Sequence, residues 1–310
     1  MFFHKSGRGR PLRGRGHNSR RGKLSGGTSP GAFFNAVLFS CAVLLCGAGF
    51  CGCTSLRTRS YDLETDRIGA GPIRIAHVSD LHSTFFGKNQ EELTGRIRDL
   101  EPDLIVLSGD IVDDKRPPGG ARALLAGIRD IAPVYYVSGN HEFMSGNIRG
   151  IRKELESFGV IILSDEWRKI GINGNTVIVA GVEDPFKKRH EAPGYNQEQA
   201  MADAFSVLYA EEGYKILIAH RPENIEQYKK YPFDLVLSGH THGGQVRIPP
   251  FIDGLYAPDQ GLFPKYPGGL YRHGRLVHII SRGLSKNMLP RIGNPPELVF
   301  IKISGLPSKK

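Results

Sequence analysis

The sequence predicts an α/β fold built on a largely parallel sheet. From Ile73 onward, short β-branched runs alternate with helical patterns, and three of the runs end on a polar residue that a sheet interior would not tolerate. Those three ends, Asp80, Asp110 and Asn140, are thirty residues apart, the length of one strand, one helix and the return to a parallel strand.

The first run, IRIAHVSD, is followed by NQEELTGRIRDL, in which Leu93, Ile97 and Leu100 share one helical face. DLIVLSGD supplies the second strand. A helix near Ala121 to Ile131, with Leu124, Leu125, Ile128 and Ile131 on one side, leads into the third strand, PVYYVSGN. Further strands are expected at TVIVAGVED, YKILIAH, FDLVLSGH, LVHIISRG and ELVFIKIS, with helices at 196–211 and 223–230. The tract from Pro249 to Gly274, dense in Gly, Pro and Tyr, reads as a long loop, and loops of that length in a compact domain are usually functional or disordered. The folded domain is expected at 73–304, after a linker at 54–72 and before a short tail at 305–310.

The N-terminal region differs in composition. Of the net charge of +10, all derives from residues 1–60, which hold ten Lys or Arg and no acid, leaving 31 basic against 31 acidic residues beyond. A formally neutral domain argues against a nucleic-acid partner gripped by a broad basic face, although the tail alone could make a weak contact. Residues 1–31, rich in Gly, Arg and Ser, are expected to be disordered. Residues 32–53, AFFNAVLFSCAVLLCGAGFCGC, match the length of a bilayer-spanning helix and follow a basic arm, so they read as a transmembrane anchor or signal segment, with a buried core helix as the alternative. The basic arm predicts an N-terminus in the cytoplasm and the folded domain on the non-cytoplasmic side. Ser19-Arg20-Arg21 and the small residues around Cys53 match twin-arginine and lipoprotein signals only poorly. All four cysteines, Cys41, Cys46, Cys51 and Cys53, fall in the apolar segment, so no disulfide framework supports the domain.

The strand ends carry the chemistry. Ligands in open α/β sheets bind at the carboxyl edge, where Asp80, Asp110 and Asn140 should stand side by side. In Asp80-Leu81-His82 the alternation of an extended chain puts carboxylate and imidazole on one side, while Gly109 and Gly139 let the backbone turn. Two later strands contribute His220 and the pair His240 and His242. Mixed oxygen and imidazole donors suit Mn, Fe or Zn better than Mg or Ca. Each histidine alone would read as structural; His77, His190, His273 and His278 have no motif partners and keep that reading. The run Lys187, Lys188, Arg189 reads as a solvated loop or as a contact for an acidic substrate or lipid headgroups. Arg221 reads either as a clamp for a non-reacting phosphate or as the partner of Glu223.

The motifs DLH, GDIVD, GNHE, the lone His220 and GHTHGGQ, in this order and spacing, resemble the calcineurin-like metallophosphoesterases over residues 73–304. The resemblance implies a four-layer αββα sandwich with mixed sheets and two divalent cations. One would be held by Asp80, His82 and His242 and the other by Asn140, His220 and His240, with Asp110 bridging. It further implies hydrolysis by a bridging hydroxide, with His141 at the leaving group and Asp113 orienting it. The segment GLFPKYPGGLY and the later SRGL resemble the membrane-associated bacterial branch, some of whose members act on glycolipids such as UDP-2,3-diacylglucosamine. On that basis Lys265 and Tyr266 are candidate substrate contacts, and a lipid-linked phosphodiester or pyrophosphate is the expected substrate. Soluble diesters, or a metal-bound membrane scaffold without catalysis, are the alternatives.

Overall fold

The computed structural model describes residues 55–286 and 290–306. The basic arm and the apolar segment at 32–53 lie outside these residues, as do the last four positions of the tail. Among the described residues no helix is long and apolar enough to cross a membrane.

Two six-stranded sheets form the centre. In the first, β1 (Arg57–Thr65), β14 (Glu297–Gly305), β2 (Ile73–Val78), β3 (Leu104–Leu107), β4 (Val134–Tyr136) and β5 (Ile161–Ile162) lie side by side in that order. β2 to β5 are mutually parallel, β14 runs antiparallel to β2, and β1 runs parallel to β14. The second sheet has the order β12 (Gly269–His273), β13 (Leu276–Ile280), β9 (Leu235–Ser238), β8 (Tyr214–Ala219), β7 (Asn175–Val182) and β6 (Glu166–Ile172). Its four inner strands are parallel and its two edge strands antiparallel.

The apolar residues of the inner strands divide between two faces because successive side chains point to opposite sides. Ile73, Ile75, Leu104 and Val106 of the first sheet pack against Val177, Val179, Ile216 and Ile218 of the second. On the outer face of the first sheet, Ala76, Ile105 and Leu107 meet Leu93 and Ile97 of α1 (Glu91–Asp99) and Leu124, Leu125 and Ile128 of α2 (Gly119–Ile128). Ile178, Ala180 and Leu217 meet Met201 and Phe205 of the helix at Gln197–Phe205 on the outer face of the second. Helix, sheet, sheet, helix is the four-layer arrangement expected. Side chains buried on both faces explain why these strands read as unbroken apolar runs.

Within the expected linker, the described residues 55–72 form a strand and its connection instead. Leu56 and Leu63 are buried, and RTRSYDLET pairs along its full length with β14. The long loop carries its own small hairpin, β10 (Tyr256–Ala257) with β11 (Gly261–Leu262). A helix at Ile148–Ser157 and the edge strands β6 and β12 also went unpredicted.

Candidate metal centre

Every expected ligand stands at the carboxyl edge of a parallel strand. Asp80 and His82 follow β2, Asp110 follows β3, Asn140 follows β4, His220 follows β8, and His240 and His242 follow β9. The two sheets meet at this edge, where the His220 ring donates from Nδ1 to the Ser108 carbonyl at 2.7 Å and the His240 amide donates to Asp80 Oδ1 at 2.9 Å. Five of the seven residues, Asp80, His82, Asp110, His240 and His242, have left-handed φ between 45° and 71°. L-residues adopt that backbone rarely and at a cost, so the packing around the site holds them there. Gly109 is needed at φ 91° because a Cβ would lie 2.7 Å from both the Gly139 nitrogen and His220 Nδ1.

The donors form two clusters with Asp110 standing between them. Asp80, His82 and His242 offer atoms within 4.8 Å of one another, as do Asp110, His220 and His240. Asp110 Oδ2 lies 3.6 Å from His82 Nε2 and 3.3 Å from His220 Nε2, so one carboxylate faces both groups. Asn140 Oδ1 is 3.2 Å from His220 Nε2.

Two observations fit divalent cations at these clusters. Buried polar atoms are normally paired, yet His82 Nε2 and His242 Nδ1 have no hydrogen-bond partner. The protein also fixes which nitrogen faces the site: Nδ1–H of His220 is spent on a carbonyl, so Nε2 is the one turned toward Asp110. Burial pulls the His220 imidazolium down, but Asp110, Asp80 and Asp184 overcome it and raise the group to about 10. The same carboxylates favour a positive charge placed between them.

A shell of carboxylates orients the ligands. Glu142, fully buried, accepts from the backbone amides of Gly139, Asp110, Ile111 and Val112 and so fixes the turns that carry Asp110 and Asn140. Asp259, on the β10–β11 turn, accepts from His240 Nε2 at 2.9 Å, leaving the other ring nitrogen for the site. Asp184 grips Arg221 Nε at 2.6 Å.

Asp113 does not orient His141. Its Oδ2 accepts from His82 Nδ1 at 3.2 Å, whereas Asp114 Oδ1 accepts from His141 Nδ1 at 2.7 Å. Burial pushes the Asp113 carboxyl up, but the His82 ring and the Lys115 amide hold it at about 2. His141 stands edge-on to His82, ring centroids 4.5 Å apart, and is partly open to solvent.

Arg221 is not a free phosphate clamp. It is buried and tied to Asp184, Glu223 and Asp259, so it positions the Asp259–His240 pair. Tyr266 is also buried, packing edge-on against Tyr271, while the Lys265 ammonium lies over its ring; neither belongs to the metal clusters. His77 and His278 bond Ser108 and Ser238 inside the sheets, and burial lowers both to about 3, which bears out their structural reading. Lys187 pairs with Asp165 at 3.0 Å rather than lying in solvent. Its neighbours Lys188 and Arg189, with Pro185, Phe186, Pro193 and Arg221, line a cleft of about 480 Å³ at the metal edge.

Asp114 and Glu142 had a signal, standing inside or beside the motifs GDIVD and GNHE. Asp184 and Asp259 had none, since only the fold brings them to Arg221 and His240.

Residues 73–244 match the family model for calcineurin-like phosphoesterases. An uncharacterized metallophosphoesterase of Aquifex aeolicus is 31% identical over 259 residues, covering 81% of this chain and 92% of the relative. YkoQ of Bacillus subtilis, likewise an uncharacterized metallophosphoesterase, is 29% identical over 80% of this chain and 90% of its own length. The phosphodiesterase YaeI of Escherichia coli is 25% identical over 76% of this chain and 83% of its own length. With the family model spanning more than half of the sequence, the chain belongs to the calcineurin-like phosphoesterases and is a hydrolase of phosphoester bonds.

Proposed function

We propose that the chain is a dinuclear phosphodiesterase or pyrophosphatase acting on a membrane lipid or glycolipid phosphate. It would be held at the membrane by residues 32–53, with the catalytic domain on the non-cytoplasmic side. The observation that carries the dinuclear reading is Asp110, whose one carboxylate oxygen faces the histidines of both clusters.

Asp80, His82 and His242 would hold one cation and Asn140, His220 and His240 the other, with Asp110 shared. Two bound cations of the Mn, Fe or Zn type would supply Lewis acidity toward the phosphoryl oxygens and lower the pKa of water. The protein's part is positional and protonic. Asp113 and Asp259 fix the rings of His82 and His240, and Ser108 fixes His220. Asp114 holds His141 through Nδ1, which leaves Nε2 to give a proton to the departing oxygen.

The cleft beside Arg221 supports a diester with an organic substituent: Phe186 and two prolines offer apolar surface, and Lys188 and Arg189 offer cations for a second anionic group. Similarity to a phosphodiesterase supports diesters over monoesters and keeps soluble diesters as the second reading. The test is to assay the full chain in detergent with Mn²⁺ on bis(p-nitrophenyl) phosphate and on UDP-2,3-diacylglucosamine. Turnover of both is expected; turnover of the soluble diester alone rejects the lipid substrate. Unchanged turnover after Asp110→Ala and His141→Ala would instead identify a metal-bound scaffold.

A further inference from the structure

Large exposed apolar side chains scattered singly over a protein need no explanation, but their concentration on one rim does. Nine occur among the described residues, and six of them sit on the loops and the small hairpin at the metal edge: Phe85, Ile248, Phe251, Tyr256, Leu262 and Phe263. Phe251, Leu262 and Phe263 are 86%, 68% and 67% exposed. Phe85 follows the ligand His82 by three residues. The other five belong to the excursion between Gln245 and Tyr266, which is fastened to the site at two points. The Leu255 amide donates to the Gly244 carbonyl at 2.9 Å, and Asp259 accepts from His240. The remaining three, Val207, Tyr209 and Leu306, lie at the opposite edge, before β8 begins and after β14 ends.

The course of the chain identifies what covers this rim. Because β14 runs antiparallel to β2 and β1 runs parallel to β14, β1 begins at the carboxyl edge of the sheet. The Arg57 amide bonds the Pro296 carbonyl, the Glu297 amide bonds Gly283, and the next residue, Leu284, bonds the Asp80 carbonyl at 3.2 Å. The described chain therefore starts beside the metal ligands, two residues after the 22-residue apolar run that ends at Cys53. Charge on the rim agrees. The acids Asp253 and Asp259 are paired with Arg247 and with Arg221 and His240, while Lys265 and Lys286 are exposed. Apolar side chains flanked by lysines suit a phospholipid surface with anionic headgroups.

We propose that this rim is a bilayer-docking surface, with Phe251, Leu262 and Phe263 entering the headgroup boundary and turning the metal centre toward phosphoesters at the lipid surface. The inference rests on the anchored-hydrolase reading above. To test it, full-length Phe251→Trp, Phe263→Trp and Val207→Trp variants are reconstituted into vesicles of phosphatidylcholine and phosphatidylglycerol with brominated acyl chains. The emission of Trp167 is subtracted using the parent protein. Emission from positions 251 and 263 should fall about twofold relative to unbrominated vesicles, while position 207 should not respond. No quenching at 251 and 263, or equal quenching at 207, overturns the docking surface. The same samples separate the underlying readings: flotation with the vesicles reports the anchor, and hydrolysis of a soluble diester reports the metal site. Quenching without hydrolysis leaves the rim standing and removes the hydrolase reading, whereas flotation and hydrolysis without quenching remove only the rim.

Discussion

At the scale of single residues, Asp113 and Asp114 separate two jobs that the motif GDIVDD merges. Asp113 bonds the ring of His82, a candidate ligand, and Asp114 bonds that of His141, the proposed proton donor. Asp113→Asn is therefore expected to weaken metal binding by about 10- to 100-fold, read by equilibrium titration with Mn²⁺. Asp114→Asn should leave metal content intact and lower kcat, as should His141→Ala, by about 10²- to 10⁴-fold for the latter. Equal metal loss in both asparagine variants would mean that the two carboxylates do not divide the work. The sequence could not assign them. Their alternation is legible only where the chain is extended, and the left-handed turn at Asp110 resets it. The seven candidate ligands were legible because each lies within a few residues of the end of a strand whose apolar run announces itself.

At the scale of elements, legibility follows burial. The inner strands, covered on both faces, read as apolar runs, whereas RTRSYDLET is mostly exposed, with Leu63 its one buried residue, and carries no such signal. Behind β7, Glu183 is fully buried with the Arg152 guanidinium 3.0 Å away, tying that strand to the helix at Ile148–Ser157. Burial raises its carboxyl from 4.5 to about 7, against the pull of Arg152 and Lys187. A carboxyl raised on folding favours the folded state while it stays protonated, below about 4.5, and that advantage is lost as pH climbs to about 7. The difference corresponds to about 3 kcal/mol. Glu183→Gln should accordingly flatten the decline in thermal stability between pH 5.5 and 8, measured by calorimetry as the difference from the parent. A parallel decline in both proteins would show that Glu183 does not titrate in that window.

For the whole molecule, the site joins two sheets: the first supplies Asp80, His82, Asp110 and Asn140, the second His220, His240 and His242. Cations bound there stabilise the packing between sheets as well as the edge, since a ligand that binds only the folded state adds its binding free energy to folding. Chelation should lower Tm by about 5–10 °C, and His220→Ala should abolish that sensitivity. An unchanged Tm on chelation would place the cations outside the fold's energetics. The position of β14 between β1 and β2 has a consequence for biosynthesis. Arg57 and its partner Glu297 are 240 positions apart, so a nascent chain extended to Pro296 already contains every metal ligand, yet its first strand has no neighbour and β2 has an open edge. Closing so long a loop is entropically slow and leaves that edge open to wrong pairings. The first sheet is thus finished only after β14 has been made, and any tether placed before β1 must leave that strand free to receive β14.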